Sequence, residues 1–229
     1  MKKLFSILFA ISILIGSVFC VPANATYDDV MKSMELYSDC VLLVSADNSE
    51  VIFAKNAGKQ TSPASLTKVI TGIVVLENCD DLNQLVTVSE SAIKELDGTG
   101  SSLGGLQAGE QVSVYDLLCN LLLQSANEAA TALADFISGN DRAKFIDMMN
   151  EVAERLGCKN SHFVNPHGLD DDNQYVTAED MATFVKHGMT LPDFAEIFGK
   201  VTYTLKPTNL QEERVIRNTN GLMNSAYKD

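Results

Sequence analysis

Histidine and basic residues are scarce in this chain. Only three histidines occur among 229 residues, at positions 162, 167 and 187, and no Cys-x-x-Cys pair exists, so a structural zinc site is not expected. Lysine and arginine total 17 against 30 acidic residues, a formal charge of -13. That balance repels phosphate backbones and argues against a nucleic-acid partner held through a broad basic footprint. It leaves open an enzyme whose one lysine sits in a cleft. Apolar residues at 46% and charged residues at 21% exclude disorder, collagen and coiled coil as overall classes. Internal repeats are lacking too. Cys40, Cys79, Cys119 and Cys158 are evenly spaced, but their flanks VLLV, DDLN, NLLL and KNSH share nothing.

Charge is nearly absent from the first 25 residues, which carry only Lys2 and Lys3. A mostly apolar stretch from Leu4 to Phe19 follows, and then Ala23-Asn24-Ala25, a small-x-small cleavage signal. The stretch is shorter than the roughly 20 apolar residues of a membrane span, so a cleaved signal peptide is expected rather than a retained anchor. The bulky Phe19 before Cys20 argues against lipid attachment there. The expected mature chain is Thr26–Asp229, acting outside the cytoplasm. Four cysteines in an exported chain permit three disulfide connectivities. Free, mostly buried thiols are the expectation, Cys119 above all, since it lies in the apolar run LLCNLLL.

The chain opens on a strand–turn–strand pattern, VLLVSA, Asp47-Asn48-Ser49, then Val51 to Ala54. Ser62-Pro63 predicts a helix start, with serine as N-cap and proline at the first helical position. The helix over 63–77 is apolar on too many faces for the surface and should lie centrally on a sheet. Residues 90–110 are polar and glycine-containing and read as irregular. Ser113 should cap a helix over 114–124, and Ser125-Ala126-Asn127 should separate it from a second over 128–137. Further helices are predicted over 141–156, over 177–187 with Thr177 and Asp180 near a capping box, and over 192–198. Residues 202–205 and 214–217 suit a small hairpin.

Two short patterns carry possible chemistry. Ser65 and Lys68 form Ser-x-x-Lys, whose side chains share a helix face. A serine hydroxyl needs a base to become a nucleophile, and lysine serves when burial or neighbouring charge lowers its pKa. The pattern alone equally describes a helix-start serine and a solvent-facing lysine. Ser125 and Asn127 likewise suit a helix junction as caps, or face the first pair across a cleft. In that second reading Ser125 moves a proton to the leaving group, and Asn127 holds Lys68 and a substrate carbonyl.

The blocks TSPASLTKVITGIVVLE, GTGSSLGGLQAGEQVSVYDLLCNLLLQSANEAATALADFISG and FVNPHGLDDDNQYVTAEDMA, in this order, resemble the low-molecular-mass penicillin-binding proteins. More narrowly, the chain is similar to serine D-alanyl-D-alanine carboxypeptidases, relatives of the class A β-lactamases. The resemblance spans about residues 27–223. It implies an α+β, β-lactamase/DD-peptidase-like fold, with a helical region packed on an antiparallel sheet. It implies Ser65 as the nucleophile forming an acyl-enzyme, Lys68 as its general base, and Ser125 and Asn127 on the opposite cleft wall. The implied substrate is a peptidoglycan stem peptide ending in D-Ala-D-Ala, with β-lactams as inhibitors and no metal or organic cofactor. Gly100-Ser101-Ser102 matches a loop beside the cleft, and Asn165-Pro166-His167-Gly168-Leu169 a family block in which His167 reads as structural. Glu128 stands where the family frequently has Asp, and reads as ordinary helix-dipole chemistry.

The family's third motif, Lys-Thr-Gly, does not occur in these 229 residues. The expectation is therefore a partial catalytic domain over 26–229, lacking the last sheet strands and any C-terminal membrane-associating segment. Two alternatives stay open: an inactive fragment or pseudoenzyme with a cell-wall binding role, and a β-lactamase or DD-endopeptidase of the same fold. The Glu-x-x-Leu-Asn loop of class A β-lactamases is missing from 159–182.

Overall fold

The computed structural model describes residues 36–47 and 49–223. The leader read at residues 1–25 lies outside the described residues. Residue contacts divide the chain between Asn56 and Ala57. The first unit holds the expected hairpin, Val41–Val44 (β1) paired antiparallel with Val51–Lys55 (β2), with a register irregularity between Leu43 and Val44. Lys55 Nζ donates to the carbonyls of Leu36 (3.2 Å) and Ser38 (2.8 Å), which fastens the segment before β1 to the end of β2.

The second unit begins with a 3-10 turn, Ala64–Leu66, that leads into α1, Thr67–Asn78. The predicted start is corrected here. Pro63 itself occupies the N-cap position, with no side-chain cap, and Ser62 Oγ donates outward to Asp170 Oδ1 at 2.8 Å. Every residue from Thr67 to Val75 is buried, as the all-round apolar pattern requires. α1 lies centrally in the second unit. It packs against five helices: Val114–Leu123 (α3), Asn127–Ser138 (α4), Arg142–Arg155 (α5), Ala178–Gly188 (α6) and Pro192–Phe198 (α7). Ile70, Ile73, Leu117, Leu133, Phe145, Phe184 and Phe194 form the centre of this core.

Side-chain oxygens start three of these helices by accepting an otherwise unpaired backbone N–H. Ser113 accepts from Asp116, Asp141 from Lys144, and Thr177 from Asp180. The capping box at α6 is half made, because the Asp180 carboxylate accepts from Ser161 Oγ and the Asn160 N–H instead. Gly139, at φ 71°, closes α4 in the left-handed conformation that suits glycine.

The segment 90–110 is more ordered than its composition suggested. Ser89 caps a short helix, Glu90–Lys94 (α2), and Leu85–Thr87 (β3) pairs antiparallel with Gln111–Ser113 (β4). Strands this short fall below what alternation can reveal. The later hairpin forms as read, Thr202–Leu205 (β5) against Arg214–Arg217 (β6). Among the described residues there are thus three two-stranded antiparallel sheets, and a single larger sheet is not closed. The thiols of Cys40, Cys79, Cys119 and Cys158 are free, and all but Cys40 are buried.

Candidate active site

Ser65 lies in the 3-10 turn rather than in the regular helix, and its side chain is exposed. Lys68, one turn later in α1, is only 3% exposed. Its Nζ donates to Ser65 Oγ at 3.1 Å and to the His167 carbonyl at 2.7 Å. Burial pulls the Lys68 ammonium down from 10.5 to about 8, against the opposing charge of Glu128. A buried amine of that kind, bonded to a hydroxyl, is chemically able to take its proton.

The backbone around Ser65 is strained and propped. Ala64 has φ 44°, unusual for a residue with a side chain. Gly168, at φ 95°, presses on it so closely that a Cβ there would lie 1.9 Å from the Ala64 carbonyl oxygen. Gly168 belongs to the Asn165–Leu169 strap, which crosses the start of α1. Thr71 Oγ1 donates to the Pro166 carbonyl at 2.6 Å, one turn beyond the Lys68–His167 bond. Asn165 Oδ1 accepts from the Gly168 N–H (2.7 Å), and Gln174 Oε1 accepts from the N–H groups of Val164 and Asn165 (both 3.1 Å).

His167 enters through its carbonyl. Its ring is buried, and burial, aided by the charges of Lys68 and Arg142, pushes it down from 6.5 to about 4. The Leu169 N–H donates to Nδ1 at 3.2 Å, which fits a neutral ring. The other two histidines do have partners. His187 Nε2 lies 2.6 Å from Glu77 Oε1, and His162 Nδ1 lies 2.6 Å from the Asn173 carbonyl.

Ser125 and Asn127 sit where α3 gives way to α4. Ser125 adopts φ 62°, and its hydroxyl oxygen is buried without a hydrogen-bond partner. Asn127 is 3% exposed, and its N–H donates to the Ser102 carbonyl at 3.0 Å. Among the described residues, the Nζ hydrogen bonds of Lys68 go to Ser65 and His167, not to Asn127. α3 and α4 both pack against α1, and Glu128, beside Asn127, acts electrostatically on Lys68. Two contributors carry no signal in the sequence: nothing local marks Gln174 as a backbone acceptor or Ala64 as strained. Glu128, read as helix-dipole chemistry, is instead buried. Among the described residues no cluster of metal-ligating side chains occurs.

The chain matches the D-alanyl-D-alanine carboxypeptidase family over residues 27–229. It belongs to that family. D-alanyl-D-alanine carboxypeptidase DacD of Escherichia coli K12 is 35% identical over 198 residues, covering 82% of this chain and 49% of that protein. DacF of Bacillus subtilis 168 is 30% identical, covering 97% of this chain and 57% of that protein. Among solved structures, the Streptomyces K15 DD-transpeptidase superposes with a TM-score of 0.77 at 30% identity, covering 85% of this chain and 78% of that one. Penicillin binding protein 6B of Escherichia coli gives 0.73 at 34%, over 83% and 60%. This family member thus spans about half the length of the curated carboxypeptidases it matches. Its mixed helical and sheet architecture is that of the DD-peptidases.

Proposed function

We propose that this chain carries the serine site of an exported D-alanyl-D-alanine carboxypeptidase, which trims the terminal D-alanine from peptidoglycan stem peptides. The observation that carries the reading is the 3.1 Å bond from the buried Lys68 amine to the exposed Ser65 hydroxyl. In the neutral form Lys68 takes the Ser65 proton as Oγ attacks the carbonyl of the penultimate D-alanine. The peptide C–N bond then breaks, the leaving amine takes a proton relayed through Ser125, and free D-alanine departs. Water attacks the resulting ester on Ser65, restores the hydroxyl and releases the shortened peptide. Asn127, on the facing junction, orients the substrate carbonyl. β-Lactams enter the same path by acylating Ser65, and no step calls on a metal or organic cofactor.

A labelled penicillin tests this directly. We expect a covalent adduct on the Ser65 peptide, lost in Ser65→Ala with the melting behaviour retained, and D-alanine released from a D-Ala-D-Ala peptide. The acylation rate should rise as pH passes about 8, where Lys68 loses its proton. Labelling that survives Ser65→Ala removes the nucleophile assignment. Cleavage of cross-linked dimers without terminal trimming replaces carboxypeptidase by endopeptidase.

A further inference from the structure

Glu128 stands outside the proposed chemistry, yet it is 1% exposed and lies next to Asn127. A buried carboxylate needs compensation that a helix start alone does not supply. Its Oε1 accepts from the N–H of Gly104 at 2.6 Å and of Leu106 at 3.3 Å, while Oε2 is buried without a partner. The neighbouring Asn127 N–H reaches the Ser102 carbonyl of the same segment. Asn120 of α3 closes the other side: a Cβ at Gly104 would fall 2.1 Å from its Oδ1, so a larger residue there would have to displace the Asn120 amide. Beyond it, the Gly105 carbonyl accepts from Gln211 Nε2 (3.0 Å) and Arg214 Nη1 (3.1 Å), at the base of β6. Residues 102–106 are thus laced to the start of α4 on one side and to the later hairpin on the other.

We propose that Glu128 is a positioning residue of the serine site, holding the 102–106 segment against the Ser125-Ala126-Asn127 junction so that Ser125 and Asn127 keep their places opposite Ser65 and Lys68. The inference rests on the serine-site reading above. Charge-assisted bonds from two backbone N–H groups to one carboxylate oxygen are stronger than neutral ones, and misplacement of a catalytic group by about 1 Å can lower a rate roughly 100-fold. Glu128 also supplies the charge that acts on Lys68. His167 faces Lys68 as a neutral ring. On the helices around α1 several charges are engaged elsewhere: Arg142 with Asp135 and Glu95, Arg155 and His187 with Glu77, Asp116 with Tyr203, Asp180 with Ser161, Glu196 with Lys200.

Penicillin acylation of Ser65 in Glu128→Ala and Glu128→Gln, measured across pH on folded protein, tests the proposal. Glu128→Ala should acylate about 10- to 100-fold more slowly. Glu128→Gln keeps an acceptor for both N–H groups and should recover most of that loss. Its half-rate point should move to lower pH, because the charge favouring protonated Lys68 is gone. A purely structural role would lower stability and leave the rate per folded molecule and its half-point unchanged, which would overturn the proposal. If Glu128→Ala does not fold, Glu128→Gln decides through the half-point. Hydrogen exchange at the Gly104 and Leu106 amides needs no activity: slow in the unaltered chain and faster in Glu128→Gln is expected, and fast exchange in the unaltered chain overturns the clamp. An unaltered chain that fails to label, with those amides protected, defeats the serine-site reading while leaving the clamp standing.

Discussion

Ser65 and Lys68 depend on two neighbours whose importance lies in backbone, not side-chain, chemistry. The His167 carbonyl holds the lysine amine, and Gly168 fits under the Ala64 carbonyl where any Cβ would collide. Gly168→Ala adds both that collision and an unfavourable φ, strain of order 1–3 kcal/mol for the φ alone. It should displace the turn bearing Ser65, so we expect a lowered melting temperature together with a larger drop in penicillin labelling than stability explains. Unchanged labelling in folded Gly168→Ala would show that the strap does not set the nucleophile. Lys68→Ala, by contrast, leaves Ser65 in place without a base, and its acylation rate should fall about 10²–10⁴-fold. A loss below about threefold would mean another group accepts the proton. The Ser-x-x-Lys pair was legible in sequence because both members lie three residues apart. The strap that holds it was visible only as a block shared with the resembled family, in which His167 read as structural, since the bond from Lys68 to His167 spans 99 positions.

Elements followed the sequence where a cap and a long apolar period agreed. Ser113, Asp141 and Thr177 each start the helix they were expected to start, and Pro192–Phe198 and the 202–205/214–217 hairpin appear at the residues read for them. Elsewhere local signals were outcompeted by tertiary bonds. Ser62 looked like an N-cap but spends its hydroxyl on Asp170, because the chain enters α1 through a strained 3-10 turn that carries Ser65. The strands β3 and β4 have three residues each, too few to alternate, and are defined by pairing across the intervening loop. The central helix is buried as its all-round apolar pattern requires, and five helices pack against it. This contrast is measurable. Ser113→Ala removes a true cap and should cost about 1 kcal/mol, whereas Ser62→Ala loses one exposed bond and should cost under about 0.5 kcal/mol. Urea midpoints of the two variants decide, and an equal loss would restore Ser62 as the cap.

At the scale of the whole molecule, the site burdens the fold, and pH exposes how much. Two buried basic groups, His167 and Lys68, lie against each other with their proton affinities lowered. For His167 the folded value is about 4 and the ordinary one 6.5. Above 6.5 both states are neutral, and between the two values the unfolded chain binds the extra proton. Stability is therefore lost as pH falls through that window, by roughly 3 kcal/mol in full. For Lys68 the folded value is about 8 against 10.5. The folded state bears the whole cost of a buried ammonium below about 8, and that cost is relieved as pH rises towards 10.5, again by roughly 3 kcal/mol. The many surface carboxylates of this acidic chain also titrate, but they are common to any variant and cancel in a difference. His167→Gln keeps the backbone carbonyl that receives Lys68, so the stability gap between it and the unaltered chain should change between pH 6.5 and 4 and stay flat from 7 to 10. Lys68→Met should show the complementary profile at higher pH, flat between about 6.5 and 8 and changing above it. Denaturant unfolding of the three proteins across pH 4–10.5 measures both gaps. Parallel curves throughout would mean that neither group is buried in the protonation state assigned to it, and the case for Lys68 as the proton acceptor of Ser65 would fall with them.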